Sequence, residues 1–282
     1  MPDKPTIAAE YESQQAKLVH ATCLYVATKL GDLMDEILII GGLVPSLIVD
    51  QAALPEGVDP HVGTMDLDVG LQLTLLNEGN YRTLTERLRN AGFEMDENDD
   101  GNPTRQRWVI RGPGTVTIDF LIPPSLETDK AGRLRDIEPD FAAIIAPGLR
   151  CGFRDRKRVT LTGETLFGEK ATRDVWACGA GGFIVLKALA FGGRGENKDA
   201  YDIFYVIRSY RAGPADVAAC LIPLLDDAEA QAAMTILRRD FTDPNAVGPR
   251  RVAEFITGGS DDDVQADAVG FVKQLLAAIG ET

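Results

Sequence analysis

The sequence predicts an α/β N-terminal half followed by an all-helical C-terminal half, with the boundary near Gly179. Before this boundary, short apolar or alternating segments typical of strands are separated by helical segments and by loops that contain glycine and proline. After it, helical segments follow one another without a strand pattern between them. We therefore expect two domains, which comprise residues 1–178 and residues 179–282.

The composition is that of an acidic globular protein. Of its 282 residues 45% are hydrophobic, which suffices for a sizeable core, and 43 Asp and Glu against 29 Lys and Arg give a formal net charge of −14. This charge disfavours sequence-independent binding to nucleic acid, which depends on neutralised phosphates, but it leaves room for a local basic groove. The four cysteines lack disulfide or metal spacing, and no signal peptide or membrane-spanning run is recognisable. We therefore expect free thiols, a cytoplasmic location and no membrane partner.

The first predicted elements lead to a glycine turn. Residues 8–34 have the pattern of a helix, and residues 36–40 form a short apolar run rich in β-branched residues, which is typical of a buried strand. The run stops at Gly41 and Gly42, and a helix that tolerates a proline in its first turn begins near Leu43. Such a turn before a helix N-terminus can bind a nucleotide phosphate through backbone N–H groups, although it serves equally as a tight turn.

The remaining elements follow from alternation, hairpin and helix patterns. In the first half we predict a strand over residues 65–73, an amphipathic helix over 77–91, an acidic turn over 96–103, hairpin strands over 105–111 and 115–121, and short strands over 157–162 and 174–178. Residues 123–150 give no clear pattern. In the second half we predict helices over residues 183–191, 199–211, 215–225, 228–241 and 263–279.

Two carboxylates share one face of the predicted strand over residues 65–73. Because side chains alternate along a strand, Asp66 and Asp68 project to the same side. Adjacent carboxylates repel each other, and a hard divalent cation such as Mg²⁺ or Mn²⁺ relieves the repulsion where His and Cys are absent. The alternative is an Asp pair on the solvent face of an edge strand, which needs no metal.

A third carboxylate, that of Asp119, lies among apolar residues in the predicted strand over residues 115–121. A carboxylate in a buried strand is costly unless it is paired or binds a metal. Asp119 is therefore either a further metal ligand or the partner of Arg107 or Arg111 across the hairpin.

Three short segments form a recognisable set: Ile40-Gly41-Gly42, Asp66-Leu67-Asp68-Val69 and Thr117-Ile118-Asp119-Phe120. Together they resemble the polymerase-β-type nucleotidyltransferase superfamily. The resemblance implies an α+β fold with a nucleotidyltransferase-type mixed sheet and flanking helices, in which the glycine turn contacts the triphosphate. It also implies that the three Asp residues bind two Mg²⁺ ions, or Mn²⁺ in their place.

A second stretch narrows this resemblance. The apolar helix over residues 183–191 contains Lys187, and it is followed by Arg194 and by the segment Asn197-Lys198-Asp199-Ala200-Tyr201-Asp202. This stretch resembles the AbiEii/AbiGii toxin-like nucleotidyltransferases, and the likeness covers about residues 37–208. It implies that Lys187 contacts phosphates and that either Asp199 or Asp202 takes the family's late acidic position. From the residues alone, Lys187 can also be a helix lysine that extends to solvent, and Asp199 an acid favoured by the helix dipole.

The resemblance implies a Mg²⁺-dependent transfer of a nucleoside monophosphate from a nucleoside triphosphate to an acceptor hydroxyl. It suggests RNA, tRNA in particular, as the acceptor, and a toxin-like enzyme of a toxin–antitoxin or phage-defence system with an antitoxin protein as partner. The alternatives are a small-molecule acceptor, as in antibiotic nucleotidylation, and a catalytically silent nucleotide-binding protein. The implied catalytic residues are Asp66, Asp68, Asp119 and Lys187, and the implied nucleotide-binding residues are Gly41, Gly42, Thr64, Lys187, Arg194, Lys198, Asp199 and Asp202.

The chain departs from the superfamily pattern between Gly42 and Asp66. The spacing is longer than usual, because a segment with prolines and glycines is inserted between Ala53 and Gly63. An arginine that often precedes the paired carboxylates is absent, and His61 lies near its place. These departures leave the nucleotide selectivity open more than the metal site.

The other polar features have ordinary interpretations. His20 and His61 are isolated in the sequence, and we expect structural or surface roles for both. A basic cluster is either a solvated loop or a surface that contacts RNA or a partner, and it comprises Arg150, Arg154, Arg156, Lys157 and Arg158.

Overall fold

The computed structural model describes residues 5–76 and 80–280. Within these residues the strands are β1 (Ile37–Ile40), β2 (Leu67–Leu71), β3 (Glu94–Glu97), β4 (Pro103–Arg111), β5 (Thr115–Ile122), β6 (Leu134–Glu138), β7 (Phe141–Ile145), β8 (Arg156–Glu164) and β9 (Lys170–Cys178). The α-helices are α1 (Ser13–Leu30), α2 (Val44–Ile48), α3 (Asn80–Asn90), α4 (Leu149–Arg154), α5 (Ala180–Arg194), α6 (Asn197–Ser209), α7 (Pro214–Leu221), α8 (Ala228–Phe241), α9 (Val247–Thr257) and α10 (Asp262–Ala278).

The nine strands of the described residues form one mixed sheet in the order β3-β4-β5-β2-β1-β9-β8, and β6 pairs with β7 beside the end of β5. The pairs β1–β9, β2–β5 and β5–β7 are parallel, and the others are antiparallel. Helices flank this sheet, and helices α5 to α10 follow it in the chain. The predicted α+β class, a mixed sheet followed by a helical C-terminal part, is confirmed.

Strand β1 shows why the sheet is covered on both faces. Ile37 and Ile39 belong to a core cluster with residues of α1 and β2, whereas Leu38 and Ile40 belong to a second cluster with residues of α5 and α6. All four residues are buried. A strand buried on both faces needs a continuous apolar run, which is the pattern that predicted it.

The change from strands to helices follows Cys178, where β9 ends and α5 begins two residues later. The C-terminal helices share the second cluster with Leu38 and Ile40 of the sheet, so this core spans the predicted boundary. The division into domains 1–178 and 179–282 stays a prediction.

Several elements differ from those predicted. The unassigned stretch over residues 123–150 contains β6, β7 and the start of α4, and the predicted acidic turn over 96–103 begins within β3. Helix α9 was not predicted, because Gly248 and Pro249 interrupt the helical pattern, although proline is tolerated in a first turn. Residues 77–79 of the predicted amphipathic helix lie outside the described residues, and α3 begins at Asn80. No helix in the described part of the chain is long and apolar enough to cross a membrane.

Candidate active site

The glycine turn after β1 lies directly against a carboxylate. Gly41 has a φ of +70°, and a Cβ at this position would lie 1.9 Å from Oδ2 of Asp68. A Cβ on Gly42 would lie 2.8 Å from Oγ1 of Thr64. Because β1 pairs with β2 and Ile40 lies opposite Asp68, the turn extends over the carboxylates. Glycine is therefore required here by a positive φ and by close packing.

The three predicted acidic residues come together. Asp68 and Asp119 are register partners in the parallel pair of β2 and β5, and Asp66 lies just before β2. One carboxylate oxygen from each residue lies within 4.8 Å of the others. Asp66 and Asp119 are buried, and Thr64 Oγ1 donates a hydrogen bond to Asp66 Oδ1 at 3.0 Å. The positions of Asp66 and Asp68 are thus compatible with binding one metal ion. Neither residue lies on an edge strand, which was the alternative that needs no metal.

Asp119 also has the cross-hairpin partner that the sequence offered. Arg107 lies opposite Asp119 in the antiparallel pair of β4 and β5, and its Nε donates to Asp119 Oδ1 at 2.6 Å. A second Arg107 nitrogen donates to Oδ2, which makes the pair bidentate. The hydrogen bonds with Asp119 raise the pKa of Arg107 above its ordinary value against the effect of burial. Arg111 pairs instead with Glu94.

The donor set of this acidic cluster fits a hard divalent cation. Three carboxylates offer oxygen ligands, and oxygen ligands are those that Mg²⁺ and Mn²⁺ prefer. The close approach of Gly41 to Asp68 leaves no room for a side chain that would compete with such an ion. Asp66, Asp68 and Asp119 could therefore hold a metal, with Arg107 as a neighbouring cation.

Helices α5 and α6 supply a second charged cluster. Lys187 Nζ lies 2.9 Å from Asp199 Oδ1 and 2.8 Å from Asp202 Oδ2, and both Asp residues are fully buried. Burial by itself would lower the pKa of Lys187, but the charges of Asp199 and Asp202 outweigh burial and raise it. The side chain of Lys187 is only 11% exposed, so the amino group does not extend to solvent.

Further cations complete the pairing of the two carboxylates. Arg194 donates from Nε to Asp199 Oδ2 at 2.6 Å, and Lys198 pairs with Asp202. Burial would raise the pKa values of Asp199 and Asp202, but the charges of Lys187 and these cations lower them. Asp199 is therefore bound by ion pairs with Lys187 and Arg194, in addition to any interaction with the dipole of α6. Both Asp199 and Asp202 belong to the cluster, so the structure does not single out one of the two acidic residues that the sequence left as alternatives.

His61 is a member of this cluster that the sequence did not reveal. Its Nε2 lies 2.8 Å from Asp202 Oδ1, and its Nδ1 accepts a hydrogen bond from the Gly63 N–H at 3.1 Å. The ring stacks on Tyr201. Burial lowers the pKa of His61 to about 4, so at neutral pH the ring is neutral, and the hydrogen bonds place its proton on Nε2. Asp202 lies 141 residues from His61 in the sequence, which explains why His61 appeared isolated.

One cavity joins the two clusters. It is lined by Gly42, Thr64, Asp66 and Asp68 on the sheet side, by Lys187, Arg194, Lys198, Asp199 and Asp202 on the helical side, and by Pro5, Tyr11, Met65 and Glu196. Burial raises the pKa of Tyr11, which sequence analysis did not single out. The cavity measures about 60 Å³. Typical ligand pockets have roughly 300–1,000 Å³, so this cavity suits phosphate groups or ions, and a nucleotide would extend beyond it.

A second cavity and the basic cluster do not combine a group of carboxylates and a group of cations around one cavity in this way. A larger cavity of about 420 Å³, lined by residues 162–164 and 170–172, lies where β8 ends and β9 begins. In the basic cluster, Arg154 pairs with Asp226, Lys157 with Asp155, and Arg158 with Asp174. Arg156 stacks on Trp176 and Arg150 donates to the Pro124 carbonyl. These contacts agree with the solvated interpretation of the basic cluster.

Comparison with known proteins gives a distant structural likeness. No protein-family model matches the chain, and no curated protein matches it. Among solved structures, the chain is similar to the crystal structure of an antigenic nucleotidyltransferase-like protein from Paracoccidioides brasiliensis. The identity is 16%, the match covers 78% of this chain and 87% of that chain, and the TM-score is 0.39. At this distance the likeness assigns no function.

Proposed function

We propose that this protein is a nucleotidyltransferase, which moves a nucleoside monophosphate from a nucleoside triphosphate to an acceptor hydroxyl. The observation that carries the proposal is the single cavity with Asp66 and Asp68 on one side and Lys187 and Arg194 on the other. A carboxylate wall suits a divalent cation, and a cationic wall suits the phosphates that such a cation accompanies. The carboxylate wall alone would favour simple cation binding, and the cationic wall alone would favour simple anion binding.

Asp66, Asp68 and Asp119 would hold the metal, which we take to be Mg²⁺, with two ions in the nucleotide complex. Bound Mg²⁺ neutralises phosphate charge and lowers the pKa of an acceptor hydroxyl. The chain keeps these carboxylates in place: Gly41 packs against Asp68, Thr64 donates to Asp66, and Arg107 holds Asp119. Because both oxygens of Asp119 accept from Arg107, we assign Asp119 to positioning and metal binding rather than to proton abstraction.

The helical wall would bind the phosphates. Lys187 remains positively charged, because Asp199 and Asp202 raise its pKa, and both hold its amino group at the cavity. Arg194 keeps half of its side chain exposed and can turn a nitrogen to a phosphate. Gly42, which has no side chain, lets a phosphate approach the turn. In this proposal residues 1–178 supply the metal site and residues 179–282 the cationic residues.

The acceptor that we propose is RNA, and tRNA in particular. With it we propose a toxin-like role in which an antitoxin protein neutralises the enzyme. Both proposals rest on the sequence resemblance around Lys187 and the segment from Asn197 to Asp202.

Nucleotide transfer can be tested with each nucleoside triphosphate labelled at the α-phosphate. Wild type is incubated with Mg²⁺ and total tRNA, with a small-molecule acceptor panel, or without acceptor. We expect label in tRNA with wild type and none with Asp68→Asn. The matched control is Asp174→Asn, which removes an exposed carboxylate on β9 that pairs with Arg158, and it should retain transfer.

Each alternative predicts a different result in this assay. Label in a small molecule but not in tRNA would identify a small-molecule acceptor. Triphosphate binding without transfer to any acceptor would favour a silent nucleotide-binding protein. Transfer by Asp68→Asn at the wild-type rate would contradict the proposed site.

A further inference from the structure

Arg107 is a buried cation beside the acidic cluster, and its role is not explained by phosphate binding. Its side chain is 14% exposed and that of Asp119 is 7% exposed. Arg107 does not line the cavity that contains Lys187 and Arg194. Its register position opposite Asp119 places both side chains on the same face of neighbouring strands.

The charges of the acidic cluster explain why a cation is needed there. Asp66, Asp68 and Asp119 bring three negative charges within a few ångströms, and Arg107 reduces the formal charge of the group from −3 to −2. The charges of Asp66 and Asp68 act on Arg107 as well as that of Asp119. Without a compensating cation, repulsion between like charges at this separation would favour displacement of one carboxylate.

We propose that Arg107 is a positioning residue of the metal site, which holds Asp119 in its ligating place when no metal is bound and whose positive charge limits the affinity for a divalent cation. The proposal rests on the metal site of the proposed function. A guanidinium is suited to this role because its planar fork fixes both carboxylate oxygens. A carboxylate has about four lone-pair positions, so two remain for a metal when two accept from arginine.

The two effects of Arg107 act in opposite directions. Its fixed geometry keeps Asp119 ready to bind metal, whereas its positive charge repels the incoming cation. Even with the dielectric constant of water, a unit charge about 5 Å from a divalent ion weakens binding by roughly tenfold. Replacing Arg107 by a neutral residue should therefore tighten metal binding and destabilise the metal-free protein.

The experiment measures Mn²⁺ binding by calorimetry, together with thermal unfolding with and without Mn²⁺. For Arg107→Gln we expect a dissociation constant about tenfold lower than that of wild type. We also expect a lower unfolding midpoint without metal, and a smaller difference from wild type at saturating Mn²⁺. Arg107→Lys keeps the charge and should bind Mn²⁺ within about threefold of wild type. The matched control is Arg111→Gln. Arg111 lies on β4, as Arg107 does, and this substitution breaks its exposed pair with Glu94 of β3. The variant should bind Mn²⁺ as wild type does.

Several outcomes would overturn the proposal. Unchanged or weaker Mn²⁺ binding in Arg107→Gln would show that the charge of Arg107 does not limit metal affinity, and equal tightening in Arg107→Lys would exclude its charge as the cause. If Arg107→Gln folds only with Mn²⁺, release of the ion to a chelator is measured instead. Slower release than from wild type supports the proposal, and equal or faster release contradicts it. Absence of Mn²⁺ binding in wild type would instead refute the metal site of the proposed function.

Discussion

The contribution of Lys187 to the stability of the fold can be tested quantitatively, because Lys187 lies in a buried cluster of charges. In Lys187→Met, a side chain of similar length loses the charge that pairs with Asp199 and Asp202. Removing one partner of a buried ion pair costs about 3–5 kcal/mol. We expect the lower end, about 3 kcal/mol, because Arg194 and Lys198 still pair with the two carboxylates.

This loss is measurable by thermal or urea unfolding. In a protein of this size, 1 kcal/mol shifts the unfolding midpoint by about 2–4 °C, so Lys187→Met should unfold about 6–12 °C below wild type. The control is Lys29→Met, because Lys29 pairs with Glu169 at 3.9 Å on the surface, and an exposed pair contributes about 0–1 kcal/mol. A Lys187→Met protein as stable as wild type would refute the inference that Lys187 neutralises the buried carboxylates. A Lys29→Met protein equally destabilised would show that the loss is unrelated to burial.

Three further predictions address the turn, the carboxylates and the histidine. Gly41→Ala should be destabilised by several kcal/mol more than Gly57→Ala in urea unfolding. Both glycines have a positive φ, but an added Cβ would clash with neighbouring atoms only at Gly41. Equal losses of stability in the two variants would contradict the close packing at Gly41. Without metal, Asp68→Asn should unfold at the wild-type midpoint or above it, since the substitution removes repulsion between neighbouring carboxylates. The variant should also lose most of the stabilisation that Mn²⁺ gives to wild type. Undiminished stabilisation by Mn²⁺ would exclude Asp68 as a ligand. The pKa of His61 is about 4 in the folded protein against about 6.5 unfolded, so its stabilising contribution is complete above pH 6.5 and is lost as the pH falls toward 4. His61→Gln should therefore reduce the slope of unfolding free energy against pH in this window, whereas an unchanged slope would show that His61 is not buried as a neutral ring.

The sequence predicted most of the sheet strands and most of the helices, because their signals are local. The alternation around Asp68 and the apolar run before Gly41 give a period and a stop that depend on adjacent residues. Strands β6 and β7 were not predicted, since their short segments gain stability from pairing with each other and with β5 rather than from a local pattern.

The candidate site was predicted in part for the same reason. The sequence placed Asp66 and Asp68 on one face of a predicted strand. In the structure Asp66 lies just before β2, and the two carboxylates still come together. For Asp119 the sequence left a metal ligand and an arginine pair as alternatives, and the structure places Arg107 and the other two carboxylates beside it together. A sequence cannot exclude either alternative, because a carboxylate has enough lone pairs for both.

By itself the sequence determined which residues carry charge within apolar strands and helices, and where a glycine turn ends β1. Only the tertiary structure decided their partners: Lys187 with Asp199 and Asp202, and His61 with Asp202. Periodicity is imposed by the backbone over a few residues, whereas a buried charge takes its partner from whichever element packs against it. That packing is a property of the folded chain, since it brings Asp202 to a histidine 141 residues away.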